Sequence, residues 1–380
     1  MKGHLISRSK GSWSIVIDLP RGADGRRRQK WFTVRGTKKE AEAKLASLLH
    51  ELNGGGFVEP SKMTLGEYLE RWLTDYADQA VKPSTAEWYR MMVRTNLAPN
   101  LGHISLARLT PLDLQRYYGQ RLAEGRLSPA SIRAQHRVLH KALGQAVKWG
   151  LVPRNVADAA EPPKAERHQM QTLTVEQVHA LLEAARATGR YALYLMAVST
   201  GLRQGELLAL RWDDVDLDTG ILSVRQTIAR RGDPGQFSSP KTHRSTRPVA
   251  LSPGLVAVLK EHRAAQEQEK ADWGHVWKEH GLVFPSEVGT PISPRNLVRQ
   301  FKCLLKRAGL PETIRFHDLR HTHATLLLKQ GVHPKIVSER LGHSSITITL
   351  DTYSHVVPGL QEQAAAKIEE LILDPTEPEK

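Results

Sequence analysis

Phe316-His317-Asp318-Leu319-Arg320-His321-Thr322-His323-Ala324-Thr325 is the stretch on which the reading of this chain turns. It reads as a helix that opens with polar groups and turns apolar through Leu326, Leu327 and Leu328. His317 and Arg320 lie three apart and so share one helix face. An imidazole beside a permanently charged guanidinium suits the grip of an oxyanion such as a phosphodiester. Working outward, Leu341-Gly342-His343-Ser344-Ser345 brings another histidine, and Tyr353 follows ten residues after it. Upstream, Thr200-Gly201-Leu202-Arg203-Gln204-Gly205-Glu206-Leu207 brings a second arginine. Two arginines, two histidines and one tyrosine together make an anion site with a candidate nucleophile.

Composition points the same way. The 380 residues are enough for two or three domains with proper cores. Lysine and arginine number 54 against 40 acidic residues, a net charge of +14, which favours a polyanionic partner and nucleic acid ahead of a membrane surface. A generally basic protein without such a partner is the alternative. The longest apolar run, Tyr191 to Val198, is far short of the roughly 18 residues that span a bilayer. The first residues, Met1-Lys2-Gly3-His4, lack the apolar core of a secretory signal, so a cytoplasmic protein is expected. A single cysteine, Cys303, excludes an internal disulfide and a cysteine-rich zinc site.

Three domains are expected, in a mainly α fold with small β elements. Residues 1–57 carry twelve basic and five acidic side chains, half of the whole chain's excess. Trp13-Ser14-Ile15-Val16-Ile17 and Lys30-Trp31-Phe32-Thr33-Val34 read as two strands, with Gly22-Ala23-Asp24-Gly25 as the turn. A helix over 37–52 follows, with Thr37 as N-cap and Glu40 at the capping-box position. A basic β-ribbon backed by a helix can enter a DNA groove, and a solvated basic appendage is the bland alternative.

Residues 61–161 read as a helical bundle, with helices opening after Thr64, near Ser84, at Pro111 and at Ser128-Pro129. Trp72, Trp88, Tyr89 and Met92 recur at helical spacing, which marks core rather than a base-stacking platform. Arg90, Arg94, Arg116, Arg121, Arg126, Arg133, Arg137, Lys141 and Lys148 interleave with that stripe and suit phosphate contacts or a solvated face equally. Glu161-Pro162-Pro163-Lys164-Ala165-Glu166-Arg167-His168 reads as a linker. The large domain, 172–380, mixes helices (from the Thr174–Gln177 capping box, then 190–199, 252–270, 293–308, 318–330 and 334–341) with strands at 221–229 and 246–251. Ser239-Pro240-Lys241-Thr242-His243-Arg244 lies in the loop between those strands.

The ordered set Thr200-Gly201-Leu202-Arg203-x-Gly205-Glu206-Leu207, Lys241, His317-x-x-Arg320-His321-Thr322, Leu341-Gly342-His343-Ser344-Ser345 and Tyr353 resembles the tyrosine recombinase (phage integrase) family. Order and spacing match across the large domain. The helical unit resembles that family's core-site-binding domain and the N-terminal unit its arm-type-site-binding domain. The resemblance implies a site-specific DNA recombinase that works through a 3′-phosphotyrosyl intermediate, with Arg203, Lys241, His317, Arg320, His343 and Tyr353 catalytic.

The chemistry is coherent on its own terms. Cutting and rejoining DNA without ATP requires the phosphodiester energy to be held in a protein–phosphate bond, which tyrosine can form. A phenol of pKa about 10 needs a base or cationic surroundings to attack at neutral pH. Charge that grows on the non-bridging oxygens calls for preorganised donors. Arg203 and Arg320 fit that clamp, their permanent charge removes the need for a divalent metal, and His343 can donate to the same oxygens. The resemblance implies that His317 is a general acid/base for Tyr353, that Lys241 protonates the leaving 5′-oxygen, and that Glu206 supports Arg203. A metal site at His317, His321 and His323 is disfavoured: no glutamate stands beside the first histidine as in a zinc protease. His321 reads as a structural hydrogen-bonding residue, and Tyr191 and Tyr194 as core aromatics.

The resemblance further implies duplex DNA with core and arm sites as partner, a homotetramer on DNA, no cofactor, and a directionality factor or DNA-bending protein as accessory. The segment 357–372, amphipathic through Leu360, Ala364, Ile368 and Leu371, is expected either to dock on a neighbouring protomer or to pack on its own domain. Two other classes remain: a regulatory DNA-binding protein on an inactive recombinase scaffold, and a topoisomerase with the same tyrosine chemistry. The complete catalytic set argues against the first, and the separate basic N-terminal unit argues against the second.

Overall fold

The computed structural model describes residues 3–9, 11–19, 28–53, 62–166, 170–228, 237–238 and 246–353, with 365–366, 368–369 and 372 beyond them. The turn at 22–25, Lys241 and its loop neighbours, and most of the segment 357–372 lie outside the described residues. The chain divides into two compact units, Met1–Arg167 and His168–Lys380.

In the first unit, β1 (Gly3–Ser9), β2 (Ser12–Leu19) and β3 (Arg28–Arg35) form an antiparallel sheet in that order. The two-stranded ribbon expected from the sequence is therefore a three-stranded sheet. Gly-His-Leu-Ile-Ser-Arg-Ser lacks a clean alternation because this edge strand is mostly exposed, and a register shift between Ser7 and Ser9 interrupts its pairing. α1 (Lys38–Asn53) starts as the capping box requires. The Thr37 N–H donates to Glu40 Oε2 at 2.7 Å, and the Glu40 N–H donates back to Thr37 Oγ1 at 3.4 Å. Ile15, Ile17 and Leu48 form the small core between sheet and helix.

α2 (Leu65–Trp72) runs through a π-helical turn, Leu73–Ala77, and α3 (Pro83–Met92) through another, Val93–Leu97. α4 (Pro111–Ala123) and α5 (Pro129–Lys148) complete the bundle. Thr64 caps α2 and Ser128 caps α5, each worth about 1 kcal/mol. Trp72 and Tyr89 are buried, and Trp88 and Met92 are half-buried against the same core, so the aromatic stripe packs inward as expected. Three of the interleaved arginines are held in ion pairs: Arg90 with Asp78, Arg94 with Glu70, and Arg121 with Glu124. The start of the expected linker is tied down, since Glu161 N–H donates to Gln115 Oε1 and Gln115 Nε2 donates back to Glu161 O.

The second unit contains α6 (Val175–Arg186), α7 (Tyr191–Thr200) and the short α8 (Gln204–Leu208). β4 (Val215–Asp216), β5 (Ile221–Val224), β6 (Thr227–Ile228), β7 (Phe237–Ser238) and β8 (Arg247–Ala250) follow. The single strand expected over 221–229 is split. Its first half pairs with β4 and β8, and its second half pairs with β7 in a separate two-stranded sheet. α9 (Pro253–Trp273), α10 (Pro294–Arg307), α11 (Asp318–Lys329) and α12 (Pro334–Leu341) lie within a few residues of their expected bounds. α13 (Ile346–Tyr353), not foreseen, carries Tyr353 at its end. Tyr194 is core as expected, whereas Tyr191 is half-buried under the Arg186 guanidinium, 3.8 Å from its ring centroid. The main core joins α6, α7, α10 and the sheet. A smaller cluster of Ala324, Leu328, Val337, Leu341 and Tyr353 fastens α11, α12 and α13 together. Among the described residues no helix is long and apolar enough to cross a membrane.

Candidate active site

Two glycines frame the site. α7 stops at Gly201, whose φ of +64° is left-handed backbone that suits glycine. A Cβ there would stand 2.7 Å from both His323 and Leu341. α12 stops the same way at Gly342, φ +66°, and the His343 N–H donates to Ser338 O at 3.0 Å to close a Schellman cap. A Cβ on Gly342 would lie 2.8 Å from the Arg247 guanidinium.

A helix end leaves its last carbonyls without intrahelical donors. At the end of α12 three consecutive carbonyls each receive an arginine. Arg247 Nε donates to Arg340 O at 2.7 Å, Arg320 Nη2 to Leu341 O at 2.7 Å, and Arg203 Nη2 to Gly342 O at 3.1 Å. Arg320 Nη1 also donates to Gly201 O at 2.8 Å. Three guanidiniums from distant parts of the chain thus converge on the negative end of one helix.

Glu206, 4 % exposed, is the carboxylate shared by two of them. It accepts from Arg203 Nη1 at 2.7 Å and from Arg247 Nη2 at 3.0 Å. Burial alone would raise its pKa, but Arg247 and then Arg203 bring it below the usual carboxylate range. The cluster remains positive. Burial first, then Arg203, pushes Arg320 down to about 9, so it stays charged at neutral pH with its charge incompletely balanced. An anion with two or more oxygens fits such a clamp.

The histidines surround this clamp. His343 Nδ1 shares a 2.8 Å hydrogen bond with the Thr349 hydroxyl, which fixes the ring. Burial, then Arg320 and Arg203, pushes it down to about 4, so it is neutral at pH 7. His317 occupies the N-cap position of α11 and is exposed at its rim. Burial of the remaining ring, then His321 and Arg320, lowers its pKa. Asp318 beside it accepts the Arg315 N–H at 2.7 Å and Arg315 Nη2 at 2.8 Å, which ties down the start of α11.

Tyr353 is 1 % exposed, and burial pushes its phenol up to about 12 against the opposing pull of Arg320. Its hydroxyl shares a 2.7 Å hydrogen bond with His321 Nδ1. Arg203, Arg320, His317, His343 and Tyr353 are therefore brought together, and Lys241 lies outside the described residues. Two side chains have larger parts than the sequence gives them. His321 touches the phenol, a contact that no spacing in the sequence marks. Arg247, at the start of the strand expected over 246–251 and given no role by the sequence, is 6 % exposed and bonded to Glu206. Among the described residues no three His, Cys, Asp or Glu side chains gather as for a metal ion.

Residues 171–358 match the sequence model of the phage integrase family, and residues 64–120 that of the phage integrase N-terminal SAM-like domain. The chain is 32 % identical to a tyrosine recombinase XerC-like protein of Caldanaerobacter subterraneus subsp. tengcongensis, over 98 % of this chain and 99 % of that protein. Its fold is similar to that of the Tn1549 transposon integrase in complex with transposon right end DNA. The TM-score is 0.69 at 22 % identity, covering 81 % of this chain and 99 % of that one. It is also similar to the lambda integrase tetramer bound to a Holliday junction, with a TM-score of 0.58 at 22 % identity over 92 % and 94 % of the two chains.

Proposed function

The chain belongs to the phage integrase family of tyrosine recombinases, and on that premise we propose that Tyr353 cuts and reseals DNA at the arginine clamp described above. It is a site-specific DNA recombinase of the integrase type. The observation that carries the residue assignment is the convergence of Arg203 and Arg320 on the end of α12, beside the buried Tyr353.

In this reading a DNA phosphate enters with its non-bridging oxygens between Arg203 and Arg320, and His343 donates to the same oxygens. Tyr353 Oη attacks phosphorus, the bond from phosphorus to the 5′-oxygen breaks, and a 3′-phosphotyrosyl ester forms. Lys241 protonates the departing 5′-oxygen, and His317 is an acid/base group at the mouth of the site. Attack by the 5′-hydroxyl of a partner strand reverses each step and reseals the DNA. Bond energy is conserved in the ester, so no ATP enters the step, and the arginine charges do the work a divalent metal would do. Glu206 holds Arg203 and Arg247 in place.

The domain assignment is 1–57 for arm sites, 61–161 for the core site and 172–380 for catalysis. Trp31, 51 % exposed on β3 with the Arg8 guanidinium 6.0 Å from its ring, supports a nucleic-acid face on the first. Four protomers would join two duplexes, with residues 357–372 docking on a neighbour; Ile368 and Ile372 are exposed on helical backbone. A directionality or DNA-bending protein is the expected accessory, and the cytoplasm the expected compartment.

The test is to mix the protein, in a chelator, with nicked duplexes drawn from the DNA flanking its gene. An SDS-resistant adduct that disappears in Tyr353→Phe is expected. DNA binding without any adduct would favour the regulatory reading.

A further inference from the structure

His321 has no part in the roles just assigned, yet its Nδ1 lies 2.7 Å from Tyr353 Oη. Resting on the reading of Tyr353 as nucleophile, we propose that His321 is a further catalytic residue, which holds the hydroxyl and accepts its proton as Oη attacks phosphorus.

The geometry favours His321 over His317. A direct general base must lie within hydrogen-bond reach of the proton it takes, and His321 does. His317 instead meets the His321 ring, with centroids 4.9 Å apart and planes at 87°. Among the described residues no side-chain hydrogen bond to the His317 ring is found. Tyr353 is 1 % exposed, so bulk water has little access to its proton. The ring that faces it is half-buried on α11, one residue after the clamp arginine Arg320.

Burial favours the neutral form of His321. Burial lowers its pKa, Asp318 opposes, and Arg315 and Arg320 add to the lowering. Among the described residues its ring meets His317, at the N-cap of the same helix, and Tyr353 on α13, and His343 lies within its electrostatic reach. With the remaining proton on Nε2, the Nδ1 lone pair faces the phenol. In the step, the proton passes from Oη to Nδ1, the Oη–phosphorus bond forms, and the 5′-oxygen leaves with a proton from a separate donor. On resealing, Nδ1 returns the proton to Oη.

The test uses the full chain and has two arms. Without DNA, 15N NMR of labelled histidines should find His321 Nδ1 unprotonated at pH 7, with a resonance that shifts in Tyr353→Phe. A protonated Nδ1 would overturn the proposal. With nicked DNA that gives the adduct, His321→Phe removes the acceptor, and His321→Asn keeps an acceptor that does not titrate. Both should slow adduct formation by about 10²–10⁴-fold. The wild-type rate should fall as pH drops below the depressed His321 pKa, under about 6.5, and that acid limb should vanish in the Asn variant. Wild-type rate and pH profile in His321→Asn would reduce the residue to positioning and overturn the base role. If Tyr353→Phe abolishes the adduct while His321→Phe reacts normally, this proposal alone falls. An adduct that survives Tyr353→Phe would remove both readings.

Discussion

Replacing Glu206 by glutamine keeps the side chain's shape and deletes the one carboxylate charge shared by Arg203 and Arg247. Both carboxylate oxygens are used, at 2.7 Å by Arg203 and at 3.0 Å by Arg247. A glutamine amide can accept at one oxygen, but it presents N–H donors to a guanidinium at the other. Removing one member of a buried ion pair costs about 3–5 kcal/mol. Arg203 is 38 % exposed and can turn to water, so its share is small. Arg247 is 6 % exposed and cannot, which sets the expected loss at the low end, about 3 kcal/mol. For a unit the size of 168–380 that lowers the melting temperature by about 6–12 °C. Differential scanning calorimetry of the full chain reads this directly. Added inorganic phosphate should recover part of the loss, because an anion can stand in for the missing charge, and should do less for the wild type. A melting temperature within about 2 °C of wild type, with no phosphate effect, would refute the claim that Glu206 holds a buried charge cluster together.

Other consequences can be checked in parallel. His323 is buried and its pKa is pushed down to about 4, by burial first and by Arg340 next. The unfolded residue titrates near 6.5, so the unfolded chain binds more protons between those values, and stability is constant above pH 6.5 and falls below it. This residue alone should cost on the order of 3 kcal/mol by pH 4; urea midpoints at three pH values should show a shallower slope in His323→Gln, and equal slopes would contradict the assignment. Lys241→Ala should slow cleavage by about 10²–10⁴-fold, yet react normally on DNA with a sulfur in place of the bridging 5′-oxygen, since a thiolate leaves without a proton. A defect that persists on that substrate would exclude the general-acid role. Gly342→Ala should destabilise by about 1–3 kcal/mol through its left-handed φ and its clash with Arg247. It should also reduce adduct formation, and unchanged melting and activity would contradict the frame drawn for α12.

Much of the fold is legible because helix starts are written locally. Thr37 with Glu40, Thr64 with Glu67 and Thr174 with Gln177 are capping pairs that form regardless of what packs against them. Strands are less legible because their partners decide them. Gly3–Ser9 carries little alternation, and the break between Val224 and Thr227 arises from pairing with two different sheets. The arginines of the site are marked by motif spacing. Glu206, the carboxylate partner of Arg203, is marked by the same motif, but the remaining anchors are backbone carbonyls, which every residue has and no sequence distinguishes. The His321–Tyr353 bond depends on where α13 docks against α11, a contact across 32 positions that helical spacing cannot supply. Arg247 looks like its basic neighbours until the fold buries it against Glu206.

In the proposed reaction Tyr353 carries the DNA. Digesting the SDS-resistant adduct with nuclease and protease, then sequencing the nucleotide-bearing peptide by mass spectrometry, tests it most directly. A nucleotide joined through its 3′-phosphate to Tyr353 is expected. A nucleotide on any other residue, or one joined through a 5′-phosphate, would contradict it.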